Sequence, residues 1–178
     1  MLAVFLGSIN VGGNRVVMAD LCTALGNDGF GPVSSVVASG NLLLAGHDRA
    51  EPGLGAAIEA SIARHFGITS VALPRTRDQV QAAIDDNPFA AGDPARVHTH
   101  FLESTPDEAA FARLRADHAG RGAETLAIGP GALYIDYVDG VGSSKLTAAF
   151  IERRLGCRGT ARNLRSLARI AERMNSNG

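Results

Sequence analysis

The stretch Pro32-Val33-Ser34-Ser35-Val36-Val37-Ala38-Ser39-Gly40-Asn41-Leu42-Leu43-Leu44-Ala45 decides the fold. Its valine-rich part, residues 32–38, reads as a strand, because β-branched side chains suit extended backbone. Ser39-Gly40-Asn41 reads as a turn and residues 42–45 as the returning strand of a hairpin. Working outward, the apolar residues 1–6 read as a first strand. Residues 15–27 carry Val16, Val17, Met18, Leu21 and Leu25 at three- and four-residue spacing, the mark of an amphipathic helix, and Gly26 and Gly29 help stop it. On the other side of the hairpin, residues 51–66 place Leu54, Ala57, Ile58, Ile62 and Phe66 along one helical face, and residues 69–73 read as a strand. The order βαββαβ is the split βαβ, or ferredoxin-like, plan.

From Pro74 onward the pattern changes. Thr76 is a good N-cap for a helix over 77–86, which Asn87-Pro88 ends. Residues 96–102 read as a strand. Thr105-Pro106-Asp107-Glu108 opens a helix that runs to about Ala119. Residues 124–128 and 132–137 read as strands joined by Gly129-Pro130-Gly131. A helix is expected over 144–155, and a last one from Asn163 to about Met174, introduced by Thr160-Ala161-Arg162-Asn163. The expectation is an α+β fold of two packed subdomains. Residues 1–74 are ferredoxin-like, and residues 75–178 form a smaller mixed α/β unit ending in two helices, the last of them basic.

The 178 residues suffice to bury a sizeable core without disulfides or metals. A 46% hydrophobic, 20% charged composition and a mean hydropathy of +0.06 exclude a disordered, collagen-like or membrane-embedded chain. The N-terminus lacks a basic flank and runs straight into Gly7-Ser8-Ile9-Asn10, so it reads as a strand and not as a leader; a cytoplasmic protein with no membrane partner is expected. Cys22 and Cys157 make no metal-type or redox spacing. Cys22 lies on an apolar stripe as core filler, and Cys157 sits in a turn beside Arg158.

Charge is uneven. From residue 143 onward eight basic residues face two acids, a balance of +6, which leaves −7 for the first 142 residues of a chain whose total is −1. Such a C-terminal end suits an anionic partner. Of the 17 basic residues, 16 are arginine and one is lysine, Lys145. A compact ammonium differs chemically from a planar guanidinium, which marks Lys145 as a position where an amine is wanted.

Four polar stretches at element ends could carry chemistry. Residues 7–14 (Gly7-Ser8-Ile9-Asn10-Val11-Gly12-Gly13-Asn14) lead from a strand into a helix N-terminus, a usual place for an anion. Ser39-Gly40-Asn41 is the second, with a plain hairpin turn as the simpler reading. The third, Asp139-Gly140-Val141-Gly142-Ser143-Ser144-Lys145-Leu146-Thr147, brings glycines, hydroxyls and the lysine to an expected helix start, where N–H groups and an ammonium would meet an oxyanion. The fourth, Thr160-Ala161-Arg162-Asn163, is followed by Arg165, Arg169 and Arg173, which with Arg162 recur at three- and four-residue spacing opposite Leu164, Leu167, Ile170 and Met174. A basic stripe of this kind can track phosphates. His98-Thr99-His100 puts two imidazoles on one strand face, but no third ligand is placed nearby, so no metal site is read. The chain carries no GxSxG, HExxH or paired-carboxylate signature.

At these same stretches the chain resembles a family of uncharacterised bacterial proteins, the domain of unknown function 1697. The resemblance rests on Leu6-Gly7-Ser8-Ile9-Asn10-Val11-Gly12-Gly13, Met18 with Leu21, Ser39-Gly40-Asn41, Asn87-Pro88-Phe89, Asp139-Gly140 with Ser144-Lys145-Leu146, and Thr160-Ala161-Arg162-Asn163. It implies an α+β fold of two subdomains and no assigned activity. Two departures stand out: Gly7 occupies the place of the family's arginine before G-I-N, and Leu164-Arg165-Ser166 replaces an aromatic-Asn-Thr run.

The reading that follows is a binding module for a phosphorylated or otherwise anionic small ligand, expected in a polar cleft between the two subdomains and held by Asn10, Ser39, Asn41, Ser144, Lys145, Arg162 and Asn163. No cofactor is identified. Two alternatives remain open: an enzyme using Lys145 as base or nucleophile with Ser39 or Ser144 as hydroxyl partner, and a nucleic-acid accessory protein using the arginine stripe.

Overall fold

The structure, a computed structural model, describes residues 1–10, 12–13, 15–37 and 40–176. It contains eight strands and six α-helices among them. Contacts divide the chain into two compact units, residues 1–81 with 168–178, and residues 82–167.

In the first unit the order is β1 (Leu2–Gly7), α1 (Met18–Leu25), β2 (Val33–Ser35), β3 (Asn41–Leu44), α2 (Leu54–Phe66) and β4 (Val71–Thr76). The sheet runs β2-β3-β1-β4, antiparallel throughout, which is the ferredoxin-like arrangement expected. β1 is central, and Leu2, Ala3, Val4, Phe5 and Leu6 are all buried, so both of its faces are covered. Leu2, Val4 and Leu6 join Leu42 and Leu44 of β3 in one core with Leu21 and Leu25 of α1 and Ile58 and Ile62 of α2. Each such side chain contributes about 1.5–3 kcal/mol by leaving water. Cys22 packs against this core as filler, its thiol pushed up by burial despite a hydrogen bond with Ser35. α1 begins at Met18, three residues later than the periodicity predicts, because residues 15–17 stay outside the helix, Val17 with extended backbone; beyond Leu25 the chain makes a wider turn over Gly26–Phe30. β2 is also shorter than expected, a three-residue edge strand with two exposed serines.

α3 (Arg77–Asp85) follows β4 directly. Its start is a capping box: the Gln79 N–H donates to Thr76 Oγ1 at 3.2 Å and the Thr76 N–H donates to Gln79 Oε1 at 2.9 Å. The sequence pointed to Thr76; Gln79 completes the pair.

The second unit holds β5 (Val97–Leu102), α4 (Glu108–His118), β6 (Thr125–Gly129), β7 (Ala132–Asp136), α5 (Ala148–Leu155) and β8 (Gly159–Asn163); α6 (Leu164–Ser176) starts there, and its part from Ala168 onward belongs to the first unit. Its sheet, β6-β7-β5-β8, is also antiparallel and repeats the strand order of the first. Both units are therefore βαββαβ. The two closing helices expected are α5 and α6, with β8 between them. Residues 160–163, read from sequence as a helix start, are thus a strand. β5 offers them an edge to pair with, and only Asn163 caps the helix, its Oδ1 accepting from the Ser166 N–H at 2.9 Å. Leu102, Leu133, Ile135 and Tyr137 pack with Leu114 of α4, Ile151 and Leu155 of α5 and Leu146 of the preceding loop. α5 starts at Ala148, capped by the Thr147 hydroxyl, which accepts from the Phe150 N–H at 3.2 Å. Ser144 and Lys145 precede it on a loop, and do not lie in its first turn as the sequence suggested. α4 is capped by Asp107, whose carboxylate accepts from the Ala110 N–H at 2.6 Å.

Candidate functional site

In the first unit, β1 ends at Gly7 opposite Val71, and β3 begins at Asn41 opposite Phe5. The loop after β1 and the β2–β3 turn therefore leave the same end of the sheet, and the Leu6 N–H donates to Gly40 O at 2.7 Å. Asn10 brackets the loop: its Oδ1 accepts from the Val16 N–H at 2.7 Å, and its Nδ2 donates to Val16 O at 3.3 Å. Asn10, Gly13, Arg15, Val16 and Val17 line a surface depression of about 460 Å³. Val17 is the N-cap of α1 and supplies no side-chain oxygen, so the helix's opening N–H groups have no side-chain cap. Two residues next to these turns hold left-handed backbone, Ser8 at φ 59° and the β-branched Val37 at φ 63°. Asn41 is buried to 2% exposure within β3. Ser39 lies outside the described residues.

In the second unit, β7 ends at Asp136 opposite Val97 and β8 ends at Asn163 opposite His98, so the loop after β7 and the start of α6 leave one end of that sheet. Lys145 is exposed on this loop, and among the described residues its ammonium makes no ion pair. Ser144 beside it donates its hydroxyl to Glu124 Oε1, and its Oγ accepts from the Leu146 N–H at 3.0 Å. A carboxylate thus touches a residue set that looked carboxylate-free in sequence. Arg162 points inward: its Nη1 donates to Thr160 Oγ1 at 2.9 Å and Ala161 O at 2.7 Å, and burial pushes its guanidinium down to about 10. Asn163 spends its side-chain oxygen on the α6 cap.

The structure therefore divides the described candidates between the units: Asn10 and Asn41 belong to the first, and Ser144, Lys145, Arg162 and Asn163 to the second, where Arg162 and Asn163 are committed to local hydrogen bonds. It adds three residues that the sequence passed over. Arg15 reads there as the first residue of a helix, yet it lines the loop depression. His118 and Glu124 form a buried pair, Nε2 to Oε2 at 2.9 Å, behind Ser144. Only Gly120 and Gly122, which mark a tight connection between them, hint at that pair in the sequence.

Among the described residues no group of three His, Cys, Asp or Glu is placed to hold an ion. His98 packs edge-on against Tyr137, ring centroids 5.0 Å apart. His100 is buried, and desolvation, then the Arg162 charge and His98, push its imidazole down to about 4. Cys157 borders the second core and donates to Ser104 O at 3.7 Å. The arginine stripe keeps three members on α6, Arg165, Arg169 and Arg173, all exposed; Arg162 belongs to β8. No helix of the described residues is long and apolar enough to cross a membrane.

Three comparisons complete the picture. The model of the family described as "Protein of unknown function (DUF1697)" matches residues 1–134. A solved structure, that of the conserved bacterial protein SP0830 from Streptococcus pneumoniae, is similar over 97% of each chain, with a TM-score of 0.65 and 22% sequence identity, a likeness of fold. A search of the curated proteins finds no match.

Proposed function

We propose, for a chain that belongs to the DUF1697 family of unknown function, that it binds a phosphorylated or otherwise anionic small molecule. The observation that carries this reading is the depression of about 460 Å³ at the start of α1. Exposed Arg15 lines it, Asn10 braces its wall through Val16, and it lies beside Val17, the N-cap position of a helix with no side-chain cap. The one acid in that first turn, Asp20, is exposed to water, which screens it. Lys145 extends the reading to the second unit as a free ammonium on a loop between Ser144 and Thr147. An exposed amine lacks the dry surroundings that turn a lysine into a base or Schiff-base nucleophile, so its placement favours binding over catalysis.

Titration of the full chain with inorganic phosphate and pyrophosphate, followed by amide NMR shifts, tests the proposal. Saturable shifts are expected around residues 10–19 and 140–147. Arg15→Ala should weaken the binding seen at residues 10–19, and Lys145→Ala the binding seen at residues 140–147, each by about tenfold or more, the worth of a charge-assisted hydrogen bond. Absence of saturable shifts, or equal affinity in both variants, would overturn it. Salt-sensitive retention on RNA that disappears when Arg165, Arg169 and Arg173 become glutamine would move the anion site to α6 instead.

A further inference from the structure

The loop that carries Lys145 is tied down at a buried polar point. Ser144 donates to Glu124 Oε1, while Glu124 Oε2 faces His118 Nε2 at 2.9 Å. The His118 and Glu124 side chains are 5% and 7% exposed. His118 Nδ1 finds no hydrogen-bond partner among the described residues. A Cβ on Gly122 would overlap the Glu124 carboxylate, so a glycine there is what lets the side chain fold back under Ser144.

Charged or titratable groups face this point from α4, from the connection after it, from the chain beyond β7 and from α5. Arg115 of α4 lines, with Phe89, Thr125 and Leu126, a cavity of about 390 Å³ that reaches both His118 and Glu124. Tyr137, just beyond β7, donates its hydroxyl to Leu146 O at 3.4 Å; burial and then the Glu124 charge push it up to about 12. From α5, Phe150 packs 6.5 Å from the His118 ring, with the Arg121 and Arg154 guanidinium groups each 4.9 Å from its centroid. Arg154 is in turn paired with Asp117. The tie therefore sits in a dry setting, where a charge-assisted bond is strong and costly to lose.

We propose that Glu124 and His118 are positioning residues for the Lys145 loop: ionised Glu124 latches Ser144, His118 orients that carboxylate, and protonation of Glu124 releases the loop. Burial pushes the Glu124 carboxyl up, but hydrogen bonds from Ser144, from its own backbone and from His118 outweigh this and hold it below the ordinary glutamate value. The latch is accordingly closed at neutral pH and opens only in acid. Its effect on ligand rests on the anion-binding reading above; the latch itself does not.

Hydrogen exchange of the full chain, read by NMR without ligand, tests the latch directly. The reporters are the Ser144 and Leu146 amides, normalised to the amides of β7 so that global unfolding drops out. At pH 7, Ser144→Ala should cut their protection by about tenfold or more. In the wild type, normalised protection should fall as pH drops from 7 to 3.5. In Glu124→Gln, which mimics the neutral carboxyl and takes up no proton, the profile should be flat at the low protection that the wild type reaches in acid. Protection in Ser144→Ala within twofold of wild type, or an acid loss that persists in Glu124→Gln, would overturn the proposal. A parallel phosphate titration separates the two claims: protection that behaves as expected with phosphate affinity unmoved by Ser144→Ala keeps the latch and removes the anion role of the loop.

Discussion

His100 offers the sharpest quantitative prediction. It lies on β5 between Leu133 of β7 and Ala161 of β8, at 3% exposure, and its ring rests against the backbone of Gly159. Desolvation, the Arg162 charge and His98 together lower its pKa from 6.5 to about 4. In the unfolded chain the same imidazole takes up a proton near 6.5, so below that pH the unfolded state binds more protons than the folded one. Stability from this group is complete above pH 6.5 and is lost as pH falls toward 4. The shift is worth about 3 kcal/mol between pH 7 and pH 4, at roughly 1.4 kcal/mol per unit. Urea unfolding of wild type at pH 7 and pH 4 should show that loss on top of what the carboxylates contribute. His100→Leu, which cannot charge, should lose about 3 kcal/mol less over the same interval, and His100→Gln should behave alike if leucine disturbs packing. Equal acid losses in wild type and both variants would show that His100 is not held neutral, and the account of this sheet face would fail.

Two further substitutions test local physics. Thr76→Ala removes half of the capping box at α3 and should cost about 1 kcal/mol in urea unfolding at pH 7; a change under a few tenths would mean that Gln79 alone suffices. Gly159→Ala drives a Cβ into the His100 ring and to 2.6 Å from Phe101 O, so a loss of about 1–3 kcal/mol is expected, and an unchanged midpoint would show that β8 can shift away.

Much of this fold is legible in the chain because the deciding signals are local. The periodicity of Leu21 and Leu25, of Leu54, Ile58 and Ile62, and the turn chemistry at Gly40 place the elements of the first unit to within a few residues. Thr76 and Asn163 announce helix starts through the same short-range hydrogen bonding. The candidate site is less legible. Asn10 and Asn41 are polar residues at loop ends, yet one spends its amide on Val16 and the other is buried, and Arg162 turns into the protein although its spacing from Arg165 suggests a shared surface.

By itself, the sequence determined the α+β class and the first βαββαβ unit, since their signals lie among neighbours within a few residues along the chain, and its motifs, taken along the whole chain, carried the resemblance to the family. Only tertiary structure decided that residues 159–163 form a strand, because an isolated edge pairing across some 60 residues leaves no periodic trace. It alone, too, assembled Ser144, Glu124 and His118, whose contacts span 20 and 6 residues and depend on where two helices and a sheet come to rest.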